Sequence, residues 1–274
     1  MTTSRVLDLN DGNHIPQLGL GVWQANPEQT VSAVREALLT GYRHIDTAAI
    51  YENEEGVGAG IRQSGVARNE IFVTTKVWNS DQGEKPTRLA LQRSLGRLGL
   101  DYVDLLLIHW PAPLHDRYVE TWRTMIELRK EGLVRSIGVS NFTTSNLERI
   151  IAETNVTPAI NQIELHPYMQ QVALRGTHEK LGVLTECWSP LAQNRALSNP
   201  VITRIAEKHS KTPAQIVIRW HLDNGFVVIP KSVTAARIRD NHNVFNFTLD
   251  TDDMSSISQL ERGERIGPDP QTFA

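Results

Sequence analysis

The chain of 274 residues contains a single cysteine, Cys187. An internal disulfide is therefore impossible, and cysteine clusters that hold zinc or iron–sulfur centres are excluded. No apolar run approaches the roughly 18 residues that a membrane-spanning helix needs. The segment from Met1 to Asp11 is polar and lacks the apolar stretch of a signal peptide. We therefore expect a cytoplasmic protein that does not enter membranes.

The chain also lacks a large excess of charge of either sign. Its 28 Lys and Arg residues oppose 31 Asp and Glu residues, which gives a formal net charge of −3. General electrostatic binding to nucleic acids or to membrane surfaces needs a basic excess, so neither partner is expected. No linker rich in Pro, Gly or Ser divides the chain. We expect one domain over residues 1–274 and a monomer, since some folds exceed 250 residues as one unit.

Short apolar runs alternate with amphipathic segments from about residue 18 to about residue 243, a pattern that predicts alternating strands and helices. The predicted strands cover 18–22, 43–45, 71–77, 103–108, 136–139, 159–163, 183–188 and 227–229. Eight such units in about 230 residues indicate an α/β protein with a parallel (β/α)8 TIM barrel. Asp11-Gly12 predicts a β-hairpin before the barrel.

The rival architecture is an open, doubly wound sheet. A dinucleotide-binding sheet of that kind usually has Gly-x-Gly-x-x-Gly in its first turn. Here the run that begins at Gly19 ends in Gln24, the glycines at 56, 58 and 60 have the wrong spacing, and no phosphate loop occurs. These observations favour the barrel.

Polar groups occur where the predicted strands end. Asp46 ends the second strand, with Tyr51 five residues later; Lys76 lies at the end of the third, and His109 follows the fourth. Any strand must end in something polar, so one polar residue at a strand end is weak evidence for a functional site. In a barrel, however, these ends converge on the face where barrel enzymes keep their chemistry. An aspartate, a lysine and a histidine at three consecutive strands therefore favour a functional site.

These four residues suit proton transfer to a carbonyl group. No serine or cysteine stands in a nucleophile elbow, and no His-Glu-x-x-His motif offers a metal site. A tyrosine has an ordinary pKa of about 10, which a nearby ammonium group lowers. We expect Lys76, held by Asp46, to do this for Tyr51, which then donates a proton, while His109 orients the substrate oxygen. The accompanying hydride must come from a cofactor.

With these residues, the sequence resembles the aldo-keto reductases, and most closely small bacterial members of the 2,5-diketo-D-gluconate reductase type. The resemblance covers nearly the whole chain. Its motifs include Gly41-Tyr42-Arg43-His44-Ile45-Asp46-Thr47-Ala48, Thr74-Thr75-Lys76-Val77-Trp78, Ile108-His109-Trp110-Pro111, Gly138-Val139-Ser140-Asn141-Phe142, Asn161-Gln162-Ile163-Glu164-Leu165-His166-Pro167 and Ile229-Pro230-Lys231-Ser232.

The resemblance implies a (β/α)8 barrel that uses NADPH without a Rossmann domain. It implies Tyr51 as general acid and base, Lys76 and Asp46 as the pair that tunes it, and His109 as the residue that orients the substrate. Trp23, Trp78 and Trp110 follow strand ends and are expected to form, with His109, the substrate wall. Glu52 follows the tyrosine where many relatives have glycine.

The same resemblance assigns the cofactor site. Ser140, Asn141 and Gln162 match positions that bind the nicotinamide carboxamide, and Trp188 matches the aromatic residue that stacks on the nicotinamide ring. The remaining assigned positions are Ser189 and Leu191 beside that aromatic residue, Lys231 and Ser232 at the 2′-phosphate, Arg237 at the adenosine phosphate, and Asp240 and Asn241 at the adenine.

The choice of substrate and two rival functions stay open. The loops after His109-Trp110 and over residues 191–199 are short, which predicts an open, shallow pocket for small or polar carbonyls. Keto-sugar acids, dicarbonyls such as methylglyoxal, small aldehydes and β-keto esters all qualify. One rival is a catalytically retired barrel that senses the cofactor or has a structural role, which the intact catalytic set argues against. The other is a phosphate-binding lyase or isomerase, which would need no nicotinamide.

Overall fold

The computed structural model describes residues 5–273, so the first four residues of the polar N-terminal segment and Ala274 lie outside it. A hairpin comes first, as Asp11-Gly12 predicts: β1 (Val6–Asp8) pairs antiparallel with β2 (His14–Pro16). Gly12 has φ +87°, a conformation that glycine adopts without strain, and the backbone N–H of Leu9 donates to the carbonyl of Asn13 at 2.8 Å.

After the hairpin, eight strands pair in parallel in chain order. They are β3 (Leu20–Gly21), β4 (His44–Asp46), β5 (Phe72–Val77), β6 (Val103–Ile108), β7 (Val134–Ser140), β8 (Ile160–Glu164), β9 (Leu184–Trp188) and β10 (Val227–Val228). The sheet closes on itself, because the N–H of Gly19 donates to Val228 O at 2.9 Å and the N–H of Val228 donates to Gln17 O at 2.9 Å. The fold is therefore a closed parallel barrel, as predicted.

The described residues form ten α-helices that surround the barrel. They are α1 (Pro27–Thr40), α2 (Glu54–Ser64), α3 (Glu84–Leu98), α4 (Tyr118–Lys130), α5 (Thr144–Thr154), α6 (Val172–Leu181), α7 (Pro200–His209), α8 (Pro213–Asp223), α9 (Ala235–His242) and α10 (Thr251–Ser258). Helix α8 starts as its sequence predicts: Thr212 Oγ1 accepts from the N–H of Gln215 at 3.3 Å, and Gln215 Oε1 accepts from the N–H of Thr212 at 2.9 Å. Over residues 5–273, no helix combines the length and the apolar character that a membrane span requires.

The glycines that fail the dinucleotide pattern serve close packing instead. A Cβ at Gly21 would lie 2.9 Å from Ile229 O at the closing seam, and one at Gly19 would lie 2.6 Å from His44 Nδ1. On α2, a Cβ at Gly58 would lie 2.0 Å from the carbonyl oxygen of Leu98. These positions need glycine because neighbouring chain segments approach too closely for a side chain.

The barrel interior changes from apolar to polar along its axis. Ile15 of the hairpin is fully buried in a cluster with Phe72, Ile160 and Val227, which start their strands, so the hairpin covers the N-terminal end. Towards the C-terminal ends, the interior holds buried polar side chains, namely Asp46, Lys76, Gln162 and Glu186. The C-terminal face therefore carries the ionisable groups, as barrel enzymes require.

Candidate active site

A cavity of about 520 Å³ opens at the C-terminal ends of the strands. Most of the predicted site residues line it, namely Trp23, Asp46, Tyr51, Trp78, His109, Trp110, Ser140, Asn141, Gln162, Trp188, Ser189 and Lys231. Residues that are far apart in the sequence therefore meet at one place.

Beneath the cavity lies a buried ion pair between Lys76 and Asp46. Lys76 is 1% exposed and does not line the cavity, and its Nζ donates to Asp46 Oδ1 at 2.6 Å and to the carbonyl of Thr47 at 2.9 Å. Burial alone would lower the pKa of Lys76, but the charge and hydrogen bond of Asp46, together with Tyr51 and Glu186, outweigh burial and hold the pKa above its usual value. Lys76 is therefore a fixed cation at neutral pH.

Tyr51 lies above this cation. It ends a single 3₁₀ turn (Ala49–Tyr51) that follows β4, and Lys76 Nζ lies 5.2 Å from the centre of its ring. Lys76 lowers the pKa of Tyr51, as expected, but does not bring it below its usual value. Burial raises this pKa above 10 and exceeds the opposing effect of Lys76, and Asp46 adds to the rise. The phenol therefore stays protonated at neutral pH.

His109 follows β6 and packs its ring edge-on against two aromatic rings. The centre of its ring lies 5.7 Å from that of Tyr51 and 5.0 Å from that of Trp78. Burial, aided by the charge of Lys76, holds the pKa of His109 well below its usual range, so the imidazole is neutral. Its Nδ1 is buried and has no hydrogen-bond partner within residues 5–273.

A set of hydrogen bonds fixes the polar wall on the other side. Asn141 has φ +62°; its Nδ2 donates to the carbonyl of His109 at 3.0 Å, and its Oδ1 accepts from Trp188 Nε1 at 2.8 Å. Ser140 Oγ donates to the carbonyl of Gln162 at 2.8 Å. The Trp188 ring is thereby held in one orientation at the edge of the cavity.

The remaining predicted cofactor residues do not line the cavity. Leu191 packs against the apolar core, and Ser232 Oγ accepts from the N–H of Thr234 at 3.2 Å in the loop before α9. Arg237 and Asp240 are exposed on α9, and the last of the predicted cofactor residues, Asn241, is buried there. Apart from Leu191, these residues extend from Lys231 at the rim of the cavity along α9.

Comparison with known proteins agrees with this geometry. The profile described as "Aldo/keto reductase family" matches residues 17–262. The chain belongs to the aldo/keto reductase family. It is 55% identical to "Methylglyoxal reductase DkgA" of Escherichia coli (strain K12), over 100% of this chain and 99% of that protein. It is 56% identical to an aldo-keto reductase of Mycolicibacterium smegmatis, over 97% of each chain. A mutant of Gox0644 solved in complex with NADPH has a TM-score of 0.96 and 51% identity, over 99% of each chain.

Sequence reasoning missed one wall of this aldo/keto reductase's cavity. Ile266, Gly267, Pro268 and Phe273 of the C-terminal segment line it, and the Phe273 ring centre lies 4.7 Å from that of Trp110. The expectation of an open, shallow pocket did not include this wall. No motif marks Phe273, because an isolated aromatic residue near a chain end has no periodicity to reveal where it packs.

Two buried glutamates were also missed. Glu164 accepts from the backbone N–H of Ile266 at 2.6 Å and of Gly267 at 2.9 Å, and so ties the C-terminal segment to β8. Glu186 lies inside the barrel and accepts from Gln162 Nε2 at 3.0 Å. The sequence signal for Glu186 is a charged residue inside an otherwise apolar strand. Because burying a carboxyl group without a partner is costly, such a residue indicates a polar contact inside the barrel.

Proposed function

We propose that this aldo/keto reductase transfers hydride from NADPH to the carbonyl carbon of small aldehydes and ketones. The observation that carries the proposal is the buried Lys76–Asp46 pair beneath Tyr51 and next to a neutral His109, all at one cavity. The intact set of Asp46, Tyr51, Lys76 and His109 argues against a retired barrel, and a phosphate-binding lyase or isomerase would have no need of this proton donor.

The residues present fit NADPH. Lys231 and Arg237 take part in none of the ion pairs found among residues 5–273, so two cations lie unpaired along the strip that extends from the cavity rim. No side chain caps the first turn of α9, whose backbone N–H groups can then face an anion. Unpaired cations and free amides suit a 2′-phosphate, and the related Gox0644 structure was solved with NADPH. The Trp188 ring beside Ser140, Asn141 and Gln162 suits the nicotinamide, and Ser189, Leu191, Ser232, Asp240 and Asn241 complete the proposed cofactor site.

When bound, NADPH supplies the hydride. The chain's own residues handle the oxygen. Tyr51 is protonated at neutral pH and donates its phenolic proton to the carbonyl oxygen as negative charge develops there. His109 is neutral and donates one hydrogen bond to the same oxygen, which fixes the approach of the substrate. Lys76 stabilises the phenolate that remains, and Asp46 holds Lys76 in position.

The cavity favours neutral substrates. Its charged lining residues are Asp46 and Lys231, the second of which is assigned to the cofactor phosphate. Trp23, Trp78, Trp110 and Phe273 supply apolar walls, and Trp23 is 44% exposed at the entrance. A substrate carboxylate would lose water without gaining a cationic partner. Of the candidate carbonyls, methylglyoxal, small aldehydes and β-keto esters therefore suit the site better than keto-sugar acids, and the E. coli relative is named for methylglyoxal.

We further infer that the protein acts in the cytoplasm as a monomer of one domain, with no nucleic-acid or membrane partner. The low net charge supports the last point.

A carbonyl panel followed by the loss of NADPH absorbance tests the proposal. We expect turnover of methylglyoxal, small aldehydes and β-keto esters, with lower kcat/KM for keto-sugar acids. If the protein binds NADPH but oxidises it with none of the carbonyls, this result would support the retired barrel. Failure to bind NADPH would support the lyase or isomerase. A keto-sugar acid as the best substrate would refute the argument from charge.

A further inference from the structure

Gln162 is held by two carboxyl groups inside the barrel. Its Nε2 donates to Asp46 Oδ2 at 2.8 Å and to Glu186 Oε2 at 3.0 Å. An amide nitrogen has two N–H donors, so both are used by these contacts. The side-chain oxygen Oε1 of Gln162 forms no hydrogen bond within residues 5–273, and Gln162 lines the cavity. The group that this amide offers to a ligand is therefore an acceptor.

Glu186 has no role in the proton transfer described above. It is fully buried on β9, faces Asp46 and Lys76 in the barrel interior, and its Oε1 lies 3.7 Å from His44 Nε2. Burial raises the pKa of Glu186 to about 8, and the negative charge of Asp46 acts in the same direction. A neutral carboxyl group still offers its carbonyl oxygen to Gln162, so this contact does not require a second buried negative charge.

We propose that Glu186 is a positioning residue for the nicotinamide end of the cofactor: it holds the Gln162 amide so that its carbonyl oxygen faces the cavity and accepts from the carboxamide N–H of the cofactor. Without Glu186, one N–H of Gln162 would lie unpaired in a dry interior, which is costly. The amide would then rotate towards another acceptor and lose its alignment. This inference rests on the proposed use of a nicotinamide cofactor.

The test compares three ligands that differ in the group at issue. NADP⁺ has the carboxamide, its 3-acetylpyridine analogue replaces the amide NH₂ with a methyl group, and 2′,5′-ADP lacks the nicotinamide half. Glu186→Met removes the acceptor at similar length, whereas Glu186→Gln keeps one. Thr185→Val is the matched control, because Thr185 is buried on the same strand but bonds to His178 at 2.8 Å. Dissociation constants are measured by quenching of tryptophan fluorescence.

We expect Glu186→Met to weaken NADP⁺ binding by about 5- to 30-fold, which corresponds to the loss of one buried hydrogen bond. The acetylpyridine analogue and 2′,5′-ADP should change by less than about twofold, because neither offers the amide donor. Glu186→Gln should retain NADP⁺ binding, and Thr185→Val should leave all three ligands unaffected. If Glu186→Met does not fold, Glu186→Ser replaces it, since its shorter side chain cannot reach Gln162.

Two results would overturn the inference: equal weakening of all three ligands, or unchanged NADP⁺ binding in the folded variant. Failure of the unmodified protein to bind NADP⁺ at all would instead refute the proposed function, so the two failures are distinguishable.

Discussion

Gly267 is the point at which the C-terminal segment touches the Trp188 ring, and Gly267→Ala tests whether this segment shapes the site. A Cβ at position 267 would lie 2.4 Å from Trp188 Cη2 and 3.0 Å from Glu164 Oε2. Neither neighbour can move freely. The Trp188 ring is held by its 2.8 Å hydrogen bond to Asn141, and Glu164 is fully buried.

The clash can be relieved in two ways, and both disturb the cavity. Either the Trp188 ring turns and loses its bond to Asn141, or the C-terminal segment lifts and loses its bonds to Glu164. Overpacking by one methyl group in a dense site costs about 1–3 kcal/mol. If this cost falls on the cavity, kcat/KM should drop by about 5- to 150-fold. The melting temperature should change little, because the segment that lifts contains no helix or strand of the barrel.

The assay is kcat/KM for the best carbonyl substrate, together with limited proteolysis of the C-terminal segment. Gly176→Ala on α6 is the control, because a Cβ there would meet no atom within 4 Å, and alanine in a helix should preserve activity. A Gly267→Ala protein with kcat/KM within twofold of the parent and unchanged proteolysis would show that the close contact does not govern the site.

Three further predictions concern charge. Lys76→Met should raise the pKa of Tyr51 further and slow reduction more than Asp46→Asn, because it deletes the cation that Asp46 only positions; pH–rate profiles measure both effects. Arg237→Ala should weaken NADPH binding by about 10- to 100-fold and NADH binding less, as fluorescence titration will show. Burial lowers the pKa of three histidines to about 3 or 4, so the unfolded chain takes up protons first as the pH falls below 6.5. The free energy of unfolding should then decrease by up to about 1.4 kcal/mol per pH unit for each histidine, measured by urea denaturation at pH 7 and pH 5. These histidines are His44, His178 and His221.

Each of these predictions has a contradicting result. Greater damage from Asp46→Asn than from Lys76→Met would reverse the proposed roles. Equal losses of NADPH and NADH affinity would mean that Arg237 contacts only the part that the two cofactors share. A denaturation midpoint that stays constant between pH 7 and pH 5 would mean that the buried histidines are not neutral in the folded state.

The barrel could be predicted because its signals are local and repeated. The run at Val103–Ile108 is apolar throughout, as a strand covered on both faces must be, and β6 has these bounds. The bounds of the first strand were harder to predict. Within the predicted run at 18–22, only Leu20–Gly21 forms a continuous strand, whereas Leu18 forms an isolated bridge to Val228 at the seam. The last strand, Val227–Val228, lies on the other side of this seam and is equally short.

The site was predictable where residues lie at strand ends and not where distant segments meet. Asp46, Lys76 and His109 share a face because parallel strands bring their C-terminal ends together. Gly267 and Phe273 reach the cavity through the path of a segment without regular structure, which no period in the sequence records. The lowering effect of Lys76 on the pKa of Tyr51 could be predicted, but the net rise could not, because burial is the larger effect and depends on the packing around the ring.

The most direct test of the central claim is a single-turnover measurement on Tyr51→Phe, which keeps the ring and removes the proton donor. If Tyr51 protonates the carbonyl oxygen, the rate of NADPH oxidation should fall by about 10²- to 10⁴-fold while the affinity for NADPH persists. Reduction at a near-normal rate by a correctly folded Tyr51→Phe protein would contradict the account.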